Sequence, residues 1–397
     1  MNNKTRQIIH LDLDAFYCAV EEQRDPSLCG LPFAVGGRPE GRGVVASCSY
    51  TARAYGVRSA MPMSRAVRLC PKLLVVSSHF SDYHEASRKV MKRLRDLTPL
   101  VEQISIDEAF LDVTDLPGPV EAVARRLQEV IRHELGLPCS LGIATNKLVA
   151  KTATDVGKMA VKGGNSPNAM TIVPPGEEAE FLAQLPVEML WGVGPKSAEK
   201  LALMNVRTIG ELAAISDTQL AKRFGKIGWD LAKRAKGIDT RPIVTERETK
   251  SISQEVTYAK DECDETKLRQ TLQKQSQNIG SQLRNQNLTA RTVKIKLRWP
   301  DFKTLTRQTT LDQPTDDGEV IGKTALKLFE DNWKRGHAVR LLGVGVSGLD
   351  TPPKQIGLWD RDWVKEEQVQ HTLVELRKRF GDDALGRGMP KRKASDK

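Results

Sequence analysis

Two carboxylates stand side by side in an otherwise apolar run. In Ile104–Asp112, read Ile-Ser-Ile-Asp-Glu-Ala-Phe-Leu-Asp, the pair Asp107 and Glu108 is preceded by Val101, Ile104 and Ile106 and followed by Phe110, Leu111 and Val113. That pattern predicts a β-hairpin with the acids at its tip. Adjacent carboxylates repel, so a buried or half-buried pair calls for a cation. A third acid lies far upstream, where Ile8-Ile9-His10-Leu11-Asp12-Leu13-Asp14 reads as a short apolar strand ending in acid. Asp12, Asp107 and Glu108, brought together on a sheet edge, would suit Mg²⁺, which takes a few carboxylates and fills its remaining positions with water and substrate phosphate. Two such ions about 4 Å apart stabilise the attacking and departing oxygens of a phosphoryl transfer. The competing reading makes Asp107 and Glu108 solvated turn residues and Asp12 a cap. Composition alone favours that reading.

The elements around the acids decide between the two. Asp14 is placed to cap a helix from Ala15 to about Gln23. The first amides of that helix, at Phe16 and Tyr17, would point toward the acids, and helix N-termini favour phosphate. Residues 24–77 are rich in Gly, Pro and Arg and form an insert with a short β run at Gly43–Ala46. Within it Tyr50 and Arg53 share a face if the segment is helical. A phenol beside a guanidinium suits a phosphate, although such a pair is more often an ordinary solvated face. Gly36-Gly37-Arg38 and Gly41-Arg42-Gly43 lack phosphate-loop spacing and read as turns. A helix follows from about Tyr83 to Leu97, with Ala86, Val90, Leu94 and Leu97 on one face. After the acidic hairpin comes a helix with Val120, Ala124, Leu127, Ile131 and Leu135 inward and Gly136 as its stop, then a strand at Cys139–Ala144. Without the insert the order is β-α-β-β-α-β, the ferredoxin-like order. Its third strand lies antiparallel beside its first, so Asp12 becomes a neighbour of Glu108. This convergence brings the metal reading level with its competitor.

The bulk properties bound the rest. A chain of 397 residues, 39% hydrophobic and 28% charged, suits two to four globular domains. No run is long and apolar enough to cross a bilayer, and Asn2, Asn3, Lys4 and Arg6 lead straight into the first strand without a signal-peptide core. Cys18, Cys29, Cys48, Cys70, Cys139 and Cys263 include no CxxC pair, so a zinc site or a disulfide framework is not expected and a reducing cytoplasm fits. The net charge of +11 favours a polyanionic partner.

Leu190-Trp191-Gly192-Val193-Gly194-Pro195-Lys196 precedes a helix carrying Ala198, Leu201 and Ala202, and Thr208-Ile209-Gly210-Glu211 reads as a capping box opening another. This is a helix-hairpin-helix pattern. Gly192 and Gly194 would let backbone amides approach a DNA phosphate, and Lys196 adds charge. Phe224-Gly225-Lys226-Ile227-Gly228 is a weaker second copy. Residues 240–250 are charged and unpatterned and read as a linker. A second β-α-β-β-α-β unit follows over residues 251–350. On its second strand Val293, Ile295, Leu297 and Trp299 face one way and Lys294, Lys296 and Arg298 the other. A row of cations on one sheet face can follow a phosphate backbone.

Asp12-Leu13-Asp14-Ala15-Phe16-Tyr17, Ser49-Tyr50-Thr51-Ala52-Arg53 and Ser105-Ile106-Asp107-Glu108-Ala109-Phe110-Leu111-Asp112 together resemble the Y-family translesion DNA polymerases, and the resemblance runs from about Ile8 to the end of the chain. It implies an α+β, multidomain, right-hand architecture. A ferredoxin-like palm would take residues 1–23 and 78–170, small fingers 24–77, a helix-hairpin-helix thumb 171–239, and a ferredoxin-like little finger 251–350 after the linker. A tail would occupy 351–397. The implied activity is template-directed addition of dNTPs to a primer 3′-hydroxyl, error-prone and without a proofreading exonuclease. Fingers of about fifty residues enclose the base pair loosely, which fits a tolerant site. The resemblance makes Asp12, Asp107 and Glu108 the ligands of two Mg²⁺ ions, with Mn²⁺ able to substitute, and Leu13 a backbone-carbonyl ligand. Tyr17 becomes a steric gate against a ribose 2′-hydroxyl, with Phe16 packed beside it. Ser47, Tyr50, Arg53 and Lys158 become contacts to the incoming triphosphate. The family's compact turn after that lysine is missing here, which leaves Lys162 as a rival. In the tail, Gln355, Leu358 and Trp359 resemble the peptide by which bacterial replication proteins hold the sliding clamp. The expected partners are primer–template DNA, dNTP and that clamp, with no membrane, and the expected state is a monomer. A non-catalytic DNA-binding adaptor recruited to the clamp and a ferredoxin-like nucleotidyl cyclase are the other classes considered.

Overall fold

A computed structural model describes residues 4–161 and 166–351. Lys162 and the Gln355, Leu358 and Trp359 segment lie outside them. Among the described residues no helix is long and apolar enough to cross a membrane.

The first unit spans the described residues up to 248 together with 257–260. Its sheet begins with β1 (Ile8–Leu13), which leads into α1 (Phe16–Arg24). The insert then contributes β2 (Phe33–Gly36), β3 (Val45–Cys48), α2 (Tyr50–Ala54), α3 (Met63–Leu69) and β4 (Leu74–Val76). These form a separate three-stranded sheet, in the order β3-β2-β4, over a small core that includes Ala34, Val45, Ala52, Met63 and Ala66. The chain returns through α4 (Phe80–Leu97), β5 (Val101–Gln103), β6 (Glu108–Asp112), α5 (Val120–Leu135) and β7 (Cys139–Ala144). Gly136 ends α5 in the left-handed region at φ 65°, where a Cβ would be strained. Next come α6 (Lys147–Ala160), which the sequence reading did not mark, and β8 (Met170–Ile172). The sheet order is β5-β6-β1-β7-β8, so the third strand does lie beside the first, and β8 extends the sheet in parallel with β7.

Each sheet strand divides its side chains by the period-two rule. Ile9, Leu11 and Leu13 join Ala109, Leu111 and Leu141 in the core against α4 and α5. Ile8 and Phe110 face the other way, into a second core built with Leu148, Val149 and Ala153 of α6. Gly142 makes the approach of α6 possible, because a Cβ there would run into the backbone at Ala150 and Thr154. The second core continues into α7 (Glu178–Ala183), α8 (Pro195–Ala202), α9 (Ile209–Ala213), α10 (Asp217–Phe224) and α11 (Lys226–Ala235). Thr208 and Glu211 form the expected capping box at the start of α9. Residues 241–247, within the expected linker, are tied to the first sheet. Lys147 donates to the Pro242 carbonyl, and Glu102 accepts from the Val244 amide and from Arg247.

The second unit holds β9 (Ser251–Glu262) apart from residues 257–260, with α12 (Glu265–Asn285), β10 (Thr289–Arg298), β11 (Thr304–Thr315), α13 (Gly318–Glu330) and β12 (Val339–Asp350). The β-α-β-β-α-β order is the expected one. The strand order is β11-β10-β12-β9, not that of the first sheet. Here the first strand lies at an edge beside the fourth, and the third pairs only with the second.

Candidate active site

β1 and β6 run antiparallel with Asp12 directly opposite Glu108. The Leu13 amide donates to the Asp107 carbonyl at 3.0 Å, fixing the end of β1 to the turn. Inside that turn the Ser105 hydroxyl accepts from the amides of Asp107 (3.2 Å) and Glu108 (3.0 Å) and donates to the Asp107 carboxylate. The three acids are thus held at one sheet edge by backbone geometry.

Asp12 and Glu108 lie on the face covered by α6, which sends Lys151, Thr154 and Lys158 toward them at helical spacing. Lys151 pairs with Glu108 at 3.0 Å. Lys158 pairs with Asp12 and stands 3.3 Å from Asp14. His10 is fully buried. Its Nδ1 bonds Thr154 Oγ1 at 2.8 Å, and its Nε2, 3.7 Å from Glu108, has no hydrogen-bond partner. Burial lowers the His10 pKa to about 4, so the ring is neutral. Burial pushes the Asp12 carboxyl up, as do its acidic neighbours, while Lys158 pulls it down. Burial also acts to raise Glu108, but the adjacent His10 ring and the paired Lys151 outweigh it and hold the carboxyl down at about 2. Among the described residues no group of three or more His, Cys, Asp or Glu side chains is gathered round a single ion position. The ammonium groups of Lys151 and Lys158 balance the acids instead. The carboxylates at the adjoining ends of β1 and β6 are hard oxygen donors of the kind that Mg²⁺ takes.

Asp14 does not cap α1. The N-cap is Ala15, in the left-handed region at φ 45°, and no side chain caps the helix. Asp14 is fully buried and accepts from Ser140 Oγ (2.9 Å) and the Asn168 amide (2.9 Å). These partners draw it into the sheet, so the helix starts one residue later.

Tyr17 lies at the start of α1, with Phe16 beside it at 5.6 Å between ring centroids. Its ring stacks on Tyr83 at 4.3 Å and 14° and meets the edge of Phe80 at 6.1 Å. Burial raises the Tyr17 pKa, and the Asp107 charge adds to it. On α2 the Arg53 guanidinium lies 4.4 Å over the Tyr50 ring, so the expected shared face exists. The Tyr50 hydroxyl is buried without a partner, and burial pushes its pKa up to about 12. Ser47 is buried on β3 and bonds the Cys18 thiol at 3.6 Å.

Gly192, at φ 104°, and Gly194 form an exposed turn before α8, with Lys196 exposed one residue into that helix. In the second unit Val293, Ile295 and Leu297 are fully buried, whereas Lys294, Lys296 and Arg298 are partly exposed on the opposite face. Lys296 pairs with Glu255 at 2.7 Å.

Lys151, His10 and Tyr83 were not picked out from sequence. Asn146 before Leu148, Val149 and Ala153 marked a capped, apolar-faced helix, and that helix carries Lys151 and Lys158 seven residues apart.

Residues 11–155 match the impB/mucB/samB family, residues 249–358 its C-terminal domain, and residues 188–239 a thumb domain described for DNA polymerase-iota. The chain is 39% identical to a DNA polymerase IV of Dehalococcoides mccartyi, over 96% of this chain and 97% of that one. It is 39% identical to one of Streptococcus thermophilus, over 91% and 98%, and 40% identical to one of Desulfatibacillum aliphaticivorans, over 95% of each. Among solved structures it resembles a Y-family DNA polymerase chimera with a TM-score of 0.76 at 24% identity, covering 87% of this chain and all of that one. With relatives this similar along nearly its whole length, the chain belongs to the DNA polymerase IV group of the Y-family translesion DNA polymerases.

Proposed function

We propose that this DNA polymerase adds dNTPs to a primer 3′-hydroxyl at the edge formed by Asp12, Asp107 and Glu108, with two Mg²⁺ ions held there and at the Leu13 carbonyl. That a divalent metal, DNA and dNTPs are required follows from its being a DNA polymerase. The number of ions and the role of each residue are our reading. The observation that carries it is the register that sets Asp12 against Glu108 with Asp107 in the adjoining turn. When bound, the ions supply Lewis-acid charge to the reacting oxygens.

The chain's own residues do the rest. The cation Lys151, paired with Glu108, keeps that carboxylate ionised at neutral pH. Tyr50, Arg53 and Lys158 offer a phenol and two cations to the triphosphate, where they would stabilise charge developing on the pyrophosphate. The orphaned Tyr50 hydroxyl is a donor without a protein partner. Ser47 would add a further contact to the triphosphate, Phe16 would pack beside the gate, and the Tyr17 ring would exclude the extra hydroxyl of a ribose by overlap. Gly192, Gly194 and Lys196 would hold one stretch of DNA backbone, and Lys294, Lys296 and Arg298 another. Gln355, Leu358 and Trp359 would bind the sliding clamp, which a synthetic peptide competing for clamp would test.

Primer extension in Mg²⁺ by Asp107→Asn tests the central claim. Extension should be lost while DNA is still bound. Extension at the wild-type rate would remove Asp107 from the metal site and with it the reading of this edge as the place of reaction.

A further inference from the structure

We infer that Glu21 is a positioning residue for sugar selection, acting through Tyr83 on Tyr17. The inference rests on Tyr17 being the sugar gate and adds what holds the gate in place.

Glu21 sits on α1, three residues before the chain departs into the insert, and α4 brings the chain back against it. The residue is 3% exposed. Its carboxylate accepts from the Tyr83 hydroxyl and from His79 Nδ1, the latter at 2.9 Å, and it pairs with Arg24 at 3.0 Å. Arg24 in turn reaches Asp82 at 2.8 Å. A carboxylate this buried persists only with such partners. Among the described residues none of these bonds reaches Asp12, Asp107 or Glu108, and the cluster's link to the gate is the Tyr83 ring.

Its geometry suits another task. Steric exclusion works only if the excluding ring cannot retreat. Behind Tyr17 stands the Tyr83 ring, stacked at 4.3 Å, with Phe80 closing one side. Tyr83 is fully buried. Burial and the adjoining Glu21 push its phenol well above its usual range, so it remains a proton donor. The donated hydrogen bond fastens the far end of the ring, and the fastened ring backs the gate. Without its acceptor, the Tyr83 hydroxyl would be a buried, unpaired donor, and the ring would shift to find a partner.

The test is single-nucleotide insertion in Mg²⁺ on one primer–template, comparing kcat/KM for dNTP and rNTP. The variants are Tyr17→Ala, Tyr83→Phe, Glu21→Leu and Glu21→Gln. We expect Glu21→Leu to lower the dNTP/rNTP ratio by about tenfold, because small displacements of a positioning group carry effects of that order. Tyr83→Phe, which keeps the ring and its packing, should lower it by about threefold. Glu21→Gln, which retains an acceptor for the hydroxyl, should recover most of the loss. If Tyr17→Ala collapses the ratio while Tyr83→Phe and Glu21→Leu leave it unchanged, or slow both nucleotides equally, Glu21 has no part in sugar selection. Should Glu21→Leu fail to fold, Tyr83→Phe alone decides in the same way. If Tyr17→Ala leaves the ratio unchanged, the gate reading itself fails, and the role of Glu21 with it.

Discussion

The palm and the little finger contain the same succession of elements, β-α-β-β-α-β, yet make different sheets. In the palm the first strand is central, between β6 and β7; in the little finger it is an edge, beside β12. The cause is in the strands themselves. β1 is apolar on both faces, with Ile8, Ile9, His10 and Leu11 fully buried. A strand that must be covered on both faces belongs inside a sheet. β9 reads Ser-Ile-Ser-Gln-Glu-Val-Thr-Tyr-Ala-Lys-Asp-Glu and is exposed along most of its length, as an edge strand tolerates. Only the central placement brings the end of a first strand against the start of a third. The palm can therefore gather carboxylates from distant parts of the chain. The little finger offers a polar face with cations on its second strand.

The largest contrast is catalytic. Asp12→Asn in the palm's first strand should lower kcat/KM for the correct dNTP by ~10⁴-fold. Glu255→Ala, in the corresponding strand of the little finger, should leave kcat for insertion within about twofold of wild type. Single-turnover extension at saturating DNA measures both. A comparable loss of kcat in Glu255→Ala would mean that the chemistry does not belong to the palm alone.

The second contrast concerns buried and exposed charge. Glu102 is 2% exposed and is held by Lys147 at 2.7 Å and by Arg247. Burial acts to raise its pKa, but Lys147, the Val244 amide and Arg247 together hold the carboxyl below its usual range. A depressed carboxyl stabilises the fold above its unfolded pKa, and that stability is lost as pH falls through the folded value. Glu102→Ala strands the buried ammonium of Lys147 and should cost about 3–5 kcal/mol. Glu102→Gln should flatten the acid side of the palm's stability profile. The Lys296–Glu255 pair is partly exposed, so breaking it should cost at most about 1 kcal/mol. Thermal unfolding between pH 3 and pH 7 followed by calorimetry reads all three variants. Equal losses would show that location makes no difference to these pairs.

Much of this was legible in the sequence. The β-α-β-β-α-β order predicted that Asp12 would meet Glu108, and the register confirms that meeting. Alternation along residues 293–298 predicted the row of cations, and the buried partners alternate as expected. Asp14 was misread because an aspartate before a helix has two possible fates. Local capping competes with long-range bonds to Ser140 and Asn168, and only the fold shows that the latter win. Lys151 on α6, and the pairing of Lys158 with Asp12, were hidden for a similar reason. Nothing within residues 147–160 indicates which acids the helix will cover, because that depends on the close approach over Gly142. The little finger's strand order was the most readable of the omissions, since the polarity of β9 already marked an edge.

The smallest effect separates the cations of the little finger from one another. A side chain that neutralises a DNA phosphate releases a condensed counterion, so each one removed lowers the slope of log K against log salt by about 0.9. Lys294 and Arg298 are partly exposed, and the Arg298 guanidinium bonds the neutral Thr304 hydroxyl at 2.9 Å. Lys296 instead reaches across Gly343, its partner on β12, to Glu255. A lysine already paired must give up that carboxylate to serve a phosphate. Lys294→Ala and Arg298→Ala should therefore each reduce the salt slope by about one, and Lys296→Ala by visibly less. Glu255→Ala should tighten DNA binding at low salt by freeing Lys296. Fluorescence anisotropy across a salt series resolves these differences. If all three cations contribute equally and Glu255→Ala changes nothing, the ion pair opens freely and the sheet face acts as a uniform row of charge.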